Sequence, residues 1–375
     1  MQPILPGATL GMLGGGQLGR MFVTAARTLG YEVIVLDPDP DSPAGSMATR
    51  HLQAAYDETE ALDVLARECA VITTEFENIP AETLTRLAGR KPVHPSANAL
   101  SIAQNRIREK TFVQSLDLNT SRFIALESDA DLAQCEDFNY PAILKTATLG
   151  YDGKGQVVCD NAEQAVSAFH GLNCSCILEQ RIDLAKEVSV VLARNLDGQI
   201  SCYPIAENSH ANGILDVSLV PARIEDNLAK DAIAAASKIA EGMDYVGVLA
   251  VEFFVSTAGE LLVNEMAPRP HNSGHYTLDA CDCCQFEQQV RMVCNLPAGS
   301  TGLNRPVAML NLLGNIWPEE GAPAWQEVLA QVDAHLHLYG KKQARPGRKM
   351  GHINFLGANV EQASDLLEQT RSRLF

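Results

Sequence analysis

Residues 264–275 read Asn-Glu-Met-Ala-Pro-Arg-Pro-His-Asn-Ser-Gly-His, and this stretch decides how the chain around it is interpreted. Two segments, 246–255 and 260–265, alternate apolar and polar residues as strands do, and turn residues separate them. A hairpin of these strands brings Glu252 and Glu265 face to face or one diagonal apart, a separation of roughly 5–8 Å. The sequence therefore predicts two neighbouring carboxylates in an otherwise apolar strand pair.

Two carboxylates this close repel each other and are poorly hydrated unless something positive lies between them. Carboxylate oxygens suit Mg²⁺, which commonly bridges the phosphates of a nucleotide. Glu252 and Glu265 are therefore candidate metal ligands, and Arg269, His271 and Asn272 follow them closely in the sequence. The alternative is a pair of edge-strand acids that face solvent.

The composition excludes several classes of protein. A chain of 375 residues suggests two or three domains, and 46% hydrophobic residues suffice for a large core. No apolar run reaches the roughly 18–20 residues of a membrane span, and the first residues lack the pattern of a secretory signal. A formal net charge of −17 argues against nucleic acid or an anionic membrane as partner. We expect a cytoplasmic protein.

The ten cysteines show no regular spacing. Cys281, Cys283 and Cys284 lie close together, but no second Cys/His pair follows at the spacing of a zinc site. Buried, reduced thiols in a cytosolic protein explain this distribution better than a zinc site does.

The N-terminal part has the pattern of a doubly wound α/β fold. An apolar strand at 10–13 runs into the glycine turn 14–19, a helical pattern follows, and a second strand lies at 33–36. A further strand is expected at 71–74. Strand, glycine turn, helix and strand form one unit of a doubly wound sheet, so residues 1–100 are predicted to form a Rossmann-like domain.

The glycine turn has two interpretations. Gly14, Gly16 and Gly19 fit G-x-G-x-x-G, and Asp37 ends the next strand, so the turn could bind a dinucleotide with Asp37 on a ribose hydroxyl. The structural alternative is a tight turn that lets helix and strand pack closely.

A small substrate is a further possibility at the same place, and we favour it over a nicotinamide cofactor. Gln17 and Leu18 follow one strand, and Glu75 follows another. Because parallel strands end at one edge of a sheet, these residues would share a crevice.

The rest of the chain is predicted to form two α+β lobes. A long helix over 98–116 leads into a small lobe, so that 101–195 forms the linker helix and small lobe and 196–375 forms a large lobe. The predicted strands are 142–145, 156–159, 176–180, 187–192 and 352–356, and the later helices are 226–243 and 359–373.

A second glycine-rich loop, residues 150–156, follows Lys145 at the end of a strand. Free backbone N–H groups and lysines suit a polyphosphate, although an ordinary hairpin turn is the alternative. Residues 179–182 end an apolar strand, and Glu187 follows, as suits recognition of adenine and ribose. His210, in a polar turn, is by itself more typical of a structural histidine.

The segment 341–352 carries three lysines and two arginines in an acidic protein. Such a turn is usually a solvated loop, but its glycines with Arg345 and Arg348 would suit a phosphomonoester.

Together these segments resemble the ATP-grasp superfamily and, within it, the ATP-dependent synthetases that carboxylate aminoimidazole ribonucleotide in purine biosynthesis. The resemblance covers essentially the whole chain. The runs 264–275 and 347–352 are highly specific for it, whereas the first glycine turn is not. It implies α/β and α+β architecture in three lobes, the first a pre-ATP-grasp domain, and usually a homodimer.

The resemblance also implies roles for residues. Lys145, Arg269 and His271 would be catalytic, and Mg²⁺ would lie on Glu252 and Glu265. Bicarbonate would meet Arg269, His271, Asn272 and Ser273. The implied contacts of ATP are Arg106, Lys145, Gly150, Tyr151, Asp152, Gly153, Lys154, Gly155, Gln156, Glu179, Gln180, Arg181, Ile182, Glu187, His210, Asn264 and Glu265. Those of the ribonucleotide are Gln17, Leu18, Glu75, Lys341, Arg345, Arg348 and Lys349.

The implied reaction joins bicarbonate to 5-aminoimidazole ribonucleotide at the cost of ATP, through carboxyphosphate, and gives N5-carboxyaminoimidazole ribonucleotide, ADP and phosphate. Two other functions stay open at this point. One is another ATP-grasp ligase, such as a formate-using transformylase acting on glycinamide ribonucleotide. The other is an NAD(P)-dependent oxidoreductase that uses the first glycine turn, but it leaves the second loop, the paired acids and the basic turn unexplained.

Overall fold

The structure, a computed structural model, describes residues 2–150, 155–318 and 321–374. The expected ATP contacts Tyr151, Asp152, Gly153 and Lys154 lie outside the described residues.

The N-terminal part is a parallel sheet with helices packed on it, as predicted. Its strands follow the order β3-β2-β1-β4-β5, and the apolar residues of β1, β2 and β4 are buried. This order places β1 and β4 side by side, so the turns that follow them meet at one edge. The elements are β1 (Thr9–Leu13), α1 (Gln17–Thr28), β2 (Glu32–Leu36), β3 (Arg50–Leu52), α2 (Thr59–Glu68), β4 (Val71–Thr74), α3 (Ala81–Ala88), β5 (Val93–His94) and α4 (Ala97–Ala103).

The prediction of one long helix over 98–116 is wrong, because the structure has two helices there, α4 and α5 (Arg106–Ser115), with a non-helical residue between them. Asn105 has extended backbone angles, and its side chain accepts hydrogen bonds from Ile107 N and Arg108 N at 3.0 and 3.1 Å. Asparagine is a favoured N-cap, so a new helix begins there in a new direction.

The small lobe is an antiparallel sheet with one face covered by a helix. Its strand order is β6-β9-β7-β8, and α6 packs against β7 and β8. The elements are β6 (Phe123–Leu126), β7 (Ala142–Thr146), β8 (Gln156–Cys159), α6 (Ala162–Leu172) and β9 (Cys176–Gln180).

The large lobe is built on an antiparallel sheet in the order β15-β14-β10-β12-β13-β16-β18-β17, with β11 paired to β10. The elements are β10 (Leu184–Arg194), β11 (Ile200–Cys202), β12 (Ala206–Ala211), β13 (Ile214–Val220), α7 (Asp226–Gly242), β14 (Gly247–Ser256), β15 (Leu261–Ala267), α8 (Thr277–Ala280), α9 (Gln285–Val293), β16 (Val307–Leu313), α10 (Trp325–Leu329), β17 (Ala334–Leu338), β18 (Lys349–Leu356) and α11 (Val360–Leu374).

β10 is buried on both faces. Val190 and Leu192 lie in one core with α7, whereas Val191 and Ala193 lie in another with Tyr276 on the opposite face. The strand expected at 187–192 therefore pairs within the large sheet and not in the small lobe, since its hydrogen-bonded neighbours are β11, β12 and β14. Where the domains divide stays a prediction.

The predicted hairpin is formed by β14 and β15, and Glu252 lies directly opposite Glu265. Phe253 lies opposite Val263, so Asn264 is an extra residue in β15, a β-bulge. Regular pairing would have set Asn264 opposite Glu252. The bulge is what brings the two acids together.

All ten cysteines are free, as predicted, and most of them are buried. Cys284 caps α9, because its side chain accepts from Glu287 N. Within the residues that the structure describes, no cluster of three His, Cys, Asp or Glu suited to a metal ion is found. No helix in the described ranges is long and apolar enough to cross a membrane.

Replacing the cap of α5 tests the helix break. Asn105→Ala should destabilise the chain by about 1 kcal/mol, because two N–H groups of the first turn lose their acceptor. Asn105→Asp, which keeps that acceptor, is the control and should change little. Midpoints of urea unfolding measure both, and equal midpoints for the two variants would contradict a capping role.

Candidate functional site

The paired acids lie on one rung of the large sheet. Ser189 of β10 lies opposite Glu252, which lies opposite Glu265. The Glu252 side chain is 12% exposed. Burial, then the charge of Glu265, raises the pKa of Glu252 to about 8. Burial would also raise the pKa of Glu265, but the positive charges of Arg106 and Lys145 together lower it, and Arg106 Nη1 lies 3.3 Å from Glu265 Oε2.

Helix α5 covers the open edge of β15. Glu109 Oε1 accepts from Met266 N at 2.6 Å, and Lys110 Nζ donates to Asn264 O at 3.1 Å. The backbone edge of β15 is therefore covered, and of the two acids Glu252 is largely shielded whereas the Glu265 side chain is 40% exposed. Burial, followed by the charge of Glu265, raises the pKa of Glu109 to about 8.

A buried ion cluster joins α5 to the small lobe. Glu179 Oε2 lies 3.3 Å from Lys110 Nζ and 3.2 Å from Lys145 Nζ, and Ser121 Oγ donates to it at 2.9 Å. Burial opposes the charge of Glu179, but the two lysines lower its pKa to about 2. Burial lowers the pKa of Lys145. The cluster has two lysines for one carboxylate, and Lys145 lies in β7, the strand that precedes the second glycine loop.

The other expected nucleotide contacts surround this cluster. Arg106 Nη2 donates to Gly150 O at 3.1 Å, so one arginine connects the second glycine loop with Glu265. Glu187 of β10 forms an ion pair with His210 of β12. Burial opposes the charged form of His210, but the Glu187 carboxylate outweighs burial and raises the pKa of His210. Arg106 thus links the small lobe to Glu265, and His210 lies close enough to Glu252 and Glu265 for their charges to raise its pKa as well.

The segment after β15 turns back over the same rung. Arg269 forms a two-nitrogen contact with Glu77 Oε2, from Nη2 at 2.7 Å and Nε at 3.0 Å. This ion pair ties the turn to the chain after β4 of the N-terminal sheet. Glu77 is a partner that sequence reasoning missed, although it stands two residues after Glu75.

His271 is oriented from both sides. Its Nδ1 lies 2.9 Å from Ser273 Oγ and accepts from Ser273 N at 3.3 Å, and its Nε2 lies 3.6 Å from Glu252 Oε1. Burial, then the charge of Arg269, lowers the pKa of His271 well below its usual value. Asn272 is 8% exposed, and its amide oxygen and nitrogen have no hydrogen-bond partner among the described residues.

The first glycine turn is occupied by protein carboxylates. Glu75 accepts from Gly16 N at 2.5 Å and Gly19 N at 3.1 Å, so it takes the helix N-terminus where a pyrophosphate would bind. Burial raises the pKa of Glu75.

Asp37 has a structural role as well. It accepts from Gly15 N and from the Tyr56 hydroxyl, each at 2.7 Å. The dinucleotide interpretation of the turn is therefore wrong for this structure, since the groups it needs are already bonded within the protein. Gln17 begins α1, and the side chain of Leu18 is buried.

The basic turn lies beside the N-terminal sheet. Lys342 forms an ion pair with Asp41, and a Cβ built on Gly340 would lie 3.1 Å from Arg20 Nη1 of α1. Lys341 Nζ donates to Lys349 O at 2.8 Å. The turn itself packs on the end of β16, where Gly314 N donates to Arg348 O at 2.8 Å.

This geometry gathers the expected residues into two adjoining groups. One surrounds Glu252 and Glu265 and contains the expected nucleotide and anion contacts. The other brings the turn 341–349 next to α1. Sequence reasoning assigned no role to Glu109, Lys110 and Arg20, and it considered Glu77 only as part of the run 75–78 at the substrate crevice. The i, i+3, i+4 spacing of Arg106, Glu109 and Lys110 was the available signal, since it puts all three on one helix face.

Comparisons with known families agree with this arrangement. Residues 7–104 match the model of the ribonucleotide synthetase preATP-grasp domain, residues 111–286 that of the ATP-grasp domain, and residues 307–366 that of the phosphoribosylaminoimidazole carboxylase C-terminal domain.

The chain is also similar to curated proteins over nearly its whole length. It is 44% identical over 360 residues to the N5-carboxyaminoimidazole ribonucleotide synthase of Bacillus subtilis, covering 95% of this chain and 93% of that protein. It is 45% identical over 352 residues to the synthase of Brucella melitensis, covering 93% and 96%.

Solved structures show the same likeness. One, an ADP complex of purK, N5-carboxyaminoimidazole ribonucleotide synthetase, is 42% identical with a TM-score of 0.92 and covers 99% of this chain and 98% of that chain. Another, from Aspergillus clavatus in complex with ADP and 5-aminoimidazole ribonucleotide, is 30% identical with a TM-score of 0.89 and covers 98% of each.

The buried ion cluster makes a stability prediction. Lys110→Met should lower the free energy of unfolding by about 3 kcal/mol, because it removes one of two cations from a carboxylate with almost no access to water. Arg90→Met, which breaks an exposed ion pair with Asp63, is the matched control and should change little. Similar unfolding midpoints for both variants would contradict the cluster's importance.

The pH at which acid unfolds the protein is a second measurement on Lys110→Met. The folded-state pKa of Glu179 is about 2, below the roughly 4.3 of an unfolded glutamate, so its contribution is complete above pH ~4.3 and is lost as pH falls toward 2. Removing Lys110 raises that folded pKa and should shift acid unfolding to higher pH.

Proposed function

This chain belongs to the N5-carboxyaminoimidazole ribonucleotide synthase family of ATP-grasp ligases, and from that membership we propose how its residues carry out the reaction. The reaction is the ATP-dependent carboxylation of 5-aminoimidazole ribonucleotide with bicarbonate, which yields N5-carboxyaminoimidazole ribonucleotide, ADP and phosphate in purine biosynthesis. The observation that carries the assignment of roles is the facing pair Glu252 and Glu265 beside the turn of Arg269 and His271.

ATP binds in the cleft between the small and large sheets. Lys145 and Arg106 supply positive charge next to the second glycine loop, as polyphosphate binding requires. Residues 179–182 supply the adenine contacts, and Glu179 Oε1 is a buried acceptor that accepts no hydrogen bond from the described part of the chain. Glu187 with His210 faces the ribose.

Glu252 and Glu265 fit Mg²⁺ as the cation that the nucleotide brings. Two facing carboxylates on one rung are hard oxygen ligands, and the raised pKa of Glu252 reflects the unfavourable charge that a divalent cation would relieve. Bound there, Mg²⁺ would neutralise charge that develops between the β- and γ-phosphates.

Bicarbonate lies against the turn of Arg269, His271, Asn272 and Ser273. Arg269 brings a positive charge to the turn while Glu77 holds its Nε and Nη2, and the amide of Asn272 is buried without a partner in the described residues. Together they orient a bicarbonate oxygen toward the γ-phosphate, and the phosphoryl group moves to that oxygen to form carboxyphosphate. The second glycine loop excludes water, because hydrolysis would destroy this mixed anhydride.

The ribonucleotide lies between the first glycine turn and the basic turn. Gln17, Leu18 and Glu75 face its base and sugar, and the basic residues meet its phosphate; the latter are Lys341, Arg345, Arg348 and Lys349. Its exocyclic amine then attacks the activated carbon, and the released phosphate can accept the amine proton. A homodimer and a cytoplasmic location complete the proposal.

Removing the arginine of the turn tests the bicarbonate pocket. Arg269→Ala should lower carboxylation by about 10²–10³ with ATP affinity spared, because one charge contact to the reacting anion is lost. Substrate-dependent ADP release measures it. Glu77→Gln is the control, since it removes the ion pair between lobes but keeps the arginine. Unchanged turnover in Arg269→Ala, or an equal loss in both variants, would overturn the assignment.

Moving the basic turn tests the phosphate site. A Cβ on residue 314 would lie 2.2 Å from Arg345 O, so Gly314→Ala must displace the turn and should raise KM for the ribonucleotide about tenfold with KM for ATP unchanged. Gly171→Ala is the matched control, since nothing lies within 4 Å of the added carbon. A rise in KM for ATP alone would contradict the assignment.

The reaction itself is tested by ADP release with bicarbonate in the presence and absence of 5-aminoimidazole ribonucleotide. Glycinamide ribonucleotide with formate is the comparison substrate pair. ADP release that depends on the second pair alone would favour the transformylase instead.

A further inference from the structure

A continuous chain of buried side-chain hydrogen bonds runs beneath the site and ends at His271. The Ser218 hydroxyl donates to Asn208 Oδ1 at 2.7 Å, Asn208 Nδ2 donates to Ser189 Oγ at 3.0 Å, and the Ser189 hydroxyl donates to Ser273 Oγ at 2.8 Å. Ser273 Oγ then lies 2.9 Å from His271 Nδ1. Each of the four residues before His271 is at most 6% exposed.

The chain has one direction, and that direction fixes the last bond. An amide oxygen only accepts hydrogen bonds and an amide nitrogen only donates them. Ser189 Oγ therefore accepts a hydrogen bond from Asn208, and its own hydroxyl donates to Ser273 Oγ. Ser273 thus accepts from Ser189 and has its own proton left for His271. With the hydroxyls in this direction, Nδ1 of His271 accepts from Ser273, and a neutral ring then carries its proton on Nε2.

A second donor reaches the same nitrogen independently of the chain. The backbone N–H of Ser273 points at His271 Nδ1 at 3.3 Å, as the cap of a short 3₁₀ turn over 272–274. A backbone N–H cannot accept, so a protonated Nδ1 would face this donor whatever the orientation of the Ser273 hydroxyl.

The proton on Nε2 is directed at the reaction centre. Nε2 lies 3.6 Å from Glu252 Oε1, which is beyond hydrogen-bond distance, so the N–H remains available to a ligand. Ser189 sits on the same rung as Glu252 and Glu265, and Asn208 is on the neighbouring strand β12. The sheet therefore fixes the imidazole relative to both acids.

We propose that Ser189 and Asn208 are positioning residues that orient His271 with Nδ1 as a hydrogen-bond acceptor, so that Nε2 presents an N–H to an oxyanion of the substrate. The oxyanion is an oxygen of bicarbonate or of the transferring phosphoryl group, which places this inference on top of the proposed role of His271. It assigns functions to Ser189 and Asn208, and Ser218 extends the chain.

The backbone alone would hold these strands together. β10, β12, β13 and β14 are joined by backbone pairing on both sides of Asn208 and Ser189, so the side-chain bonds are additional to sheet formation. A buried hydroxyl or amide costs free energy when its partner is lost, and replacing one by a residue without polar atoms breaks the direction of the chain.

The tautomer is measured directly by nitrogen NMR of the protein with labelled histidine. The chain has nine histidines, and His271→Gln identifies the resonances of interest by their loss. In the unaltered protein Nδ1 should give the shift of an unprotonated ring nitrogen and Nε2 that of a protonated one. A proton on Nδ1, or on both nitrogens, would overturn the proposal without reference to activity.

Ser189→Ala tests the consequence for turnover. It should lower kcat about tenfold, leave KM for ATP unchanged, and mix the two tautomers in the spectrum, since Ser273 is then free to reverse its hydroxyl. Ser218→Ala, farther along the chain, should have a smaller effect. Ser209→Ala, an exposed serine in β12, is the matched control and should behave as the unaltered protein.

The outcomes separate the two levels of the argument. If the spectrum shows Nε2–H but Ser189→Ala turns over normally, the positioning role fails while the proposed function stands. If no substrate-dependent ADP release occurs in the unaltered protein, the proposed function fails, and the spectrum still decides the tautomer.

Discussion

The repulsion between Glu252 and Glu265 is the constraint around which the other parts of the site are arranged. The two carboxylates lie opposite each other on buried strands, where unpaired charge is costly. Arg106 relieves Glu265 from one side, and the raised pKa of Glu252 shows that its charge is left uncompensated by the protein. In the proposed function, a cation that arrives with the nucleotide would replace the proton that the raised pKa favours on Glu252.

Helix α5 connects this constraint to the rest of the molecule. One face of it places Arg106 on Glu265, Glu109 on the backbone of β15, and Lys110 on both β15 and Glu179 of the small sheet. A single short helix therefore closes an open sheet edge and joins the two sheets that form the nucleotide cleft. The Asn105 cap fixes where the helix begins. This local capping preference therefore determines where the guanidinium of Arg106 meets Glu265.

The sequence predicted the main strands, the hairpin and the facing acids, because strand alternation and turn residues carry that information locally. It missed what depends on tertiary contacts. The bulge at Asn264 has no recognisable pattern in the sequence. It shifts the register of β15 by one residue, and that shift sets Glu265 opposite Glu252. The helix break at Asn105 was hidden by apolar spacing that continued across it. The first glycine turn left the dinucleotide alternative open, because the turn motif does not reveal that Glu75 binds its free N–H groups.

The two most specific motifs, 264–275 and 347–352, meet through their last residues. The rings of His275 and His352 stack with centroids 4.7 Å apart, and His352 Nδ1 lies 2.9 Å from the Tyr339 hydroxyl. Burial lowers the pKa of both histidines, so they stack as neutral rings and do not repel. A stack of rigid rings sets a fixed spacing between the elements that carry them. The turn of Arg269 and the start of β18 at Lys349 are thereby held at a constant separation, which a reaction joining an activated anion to a phosphate-anchored acceptor requires.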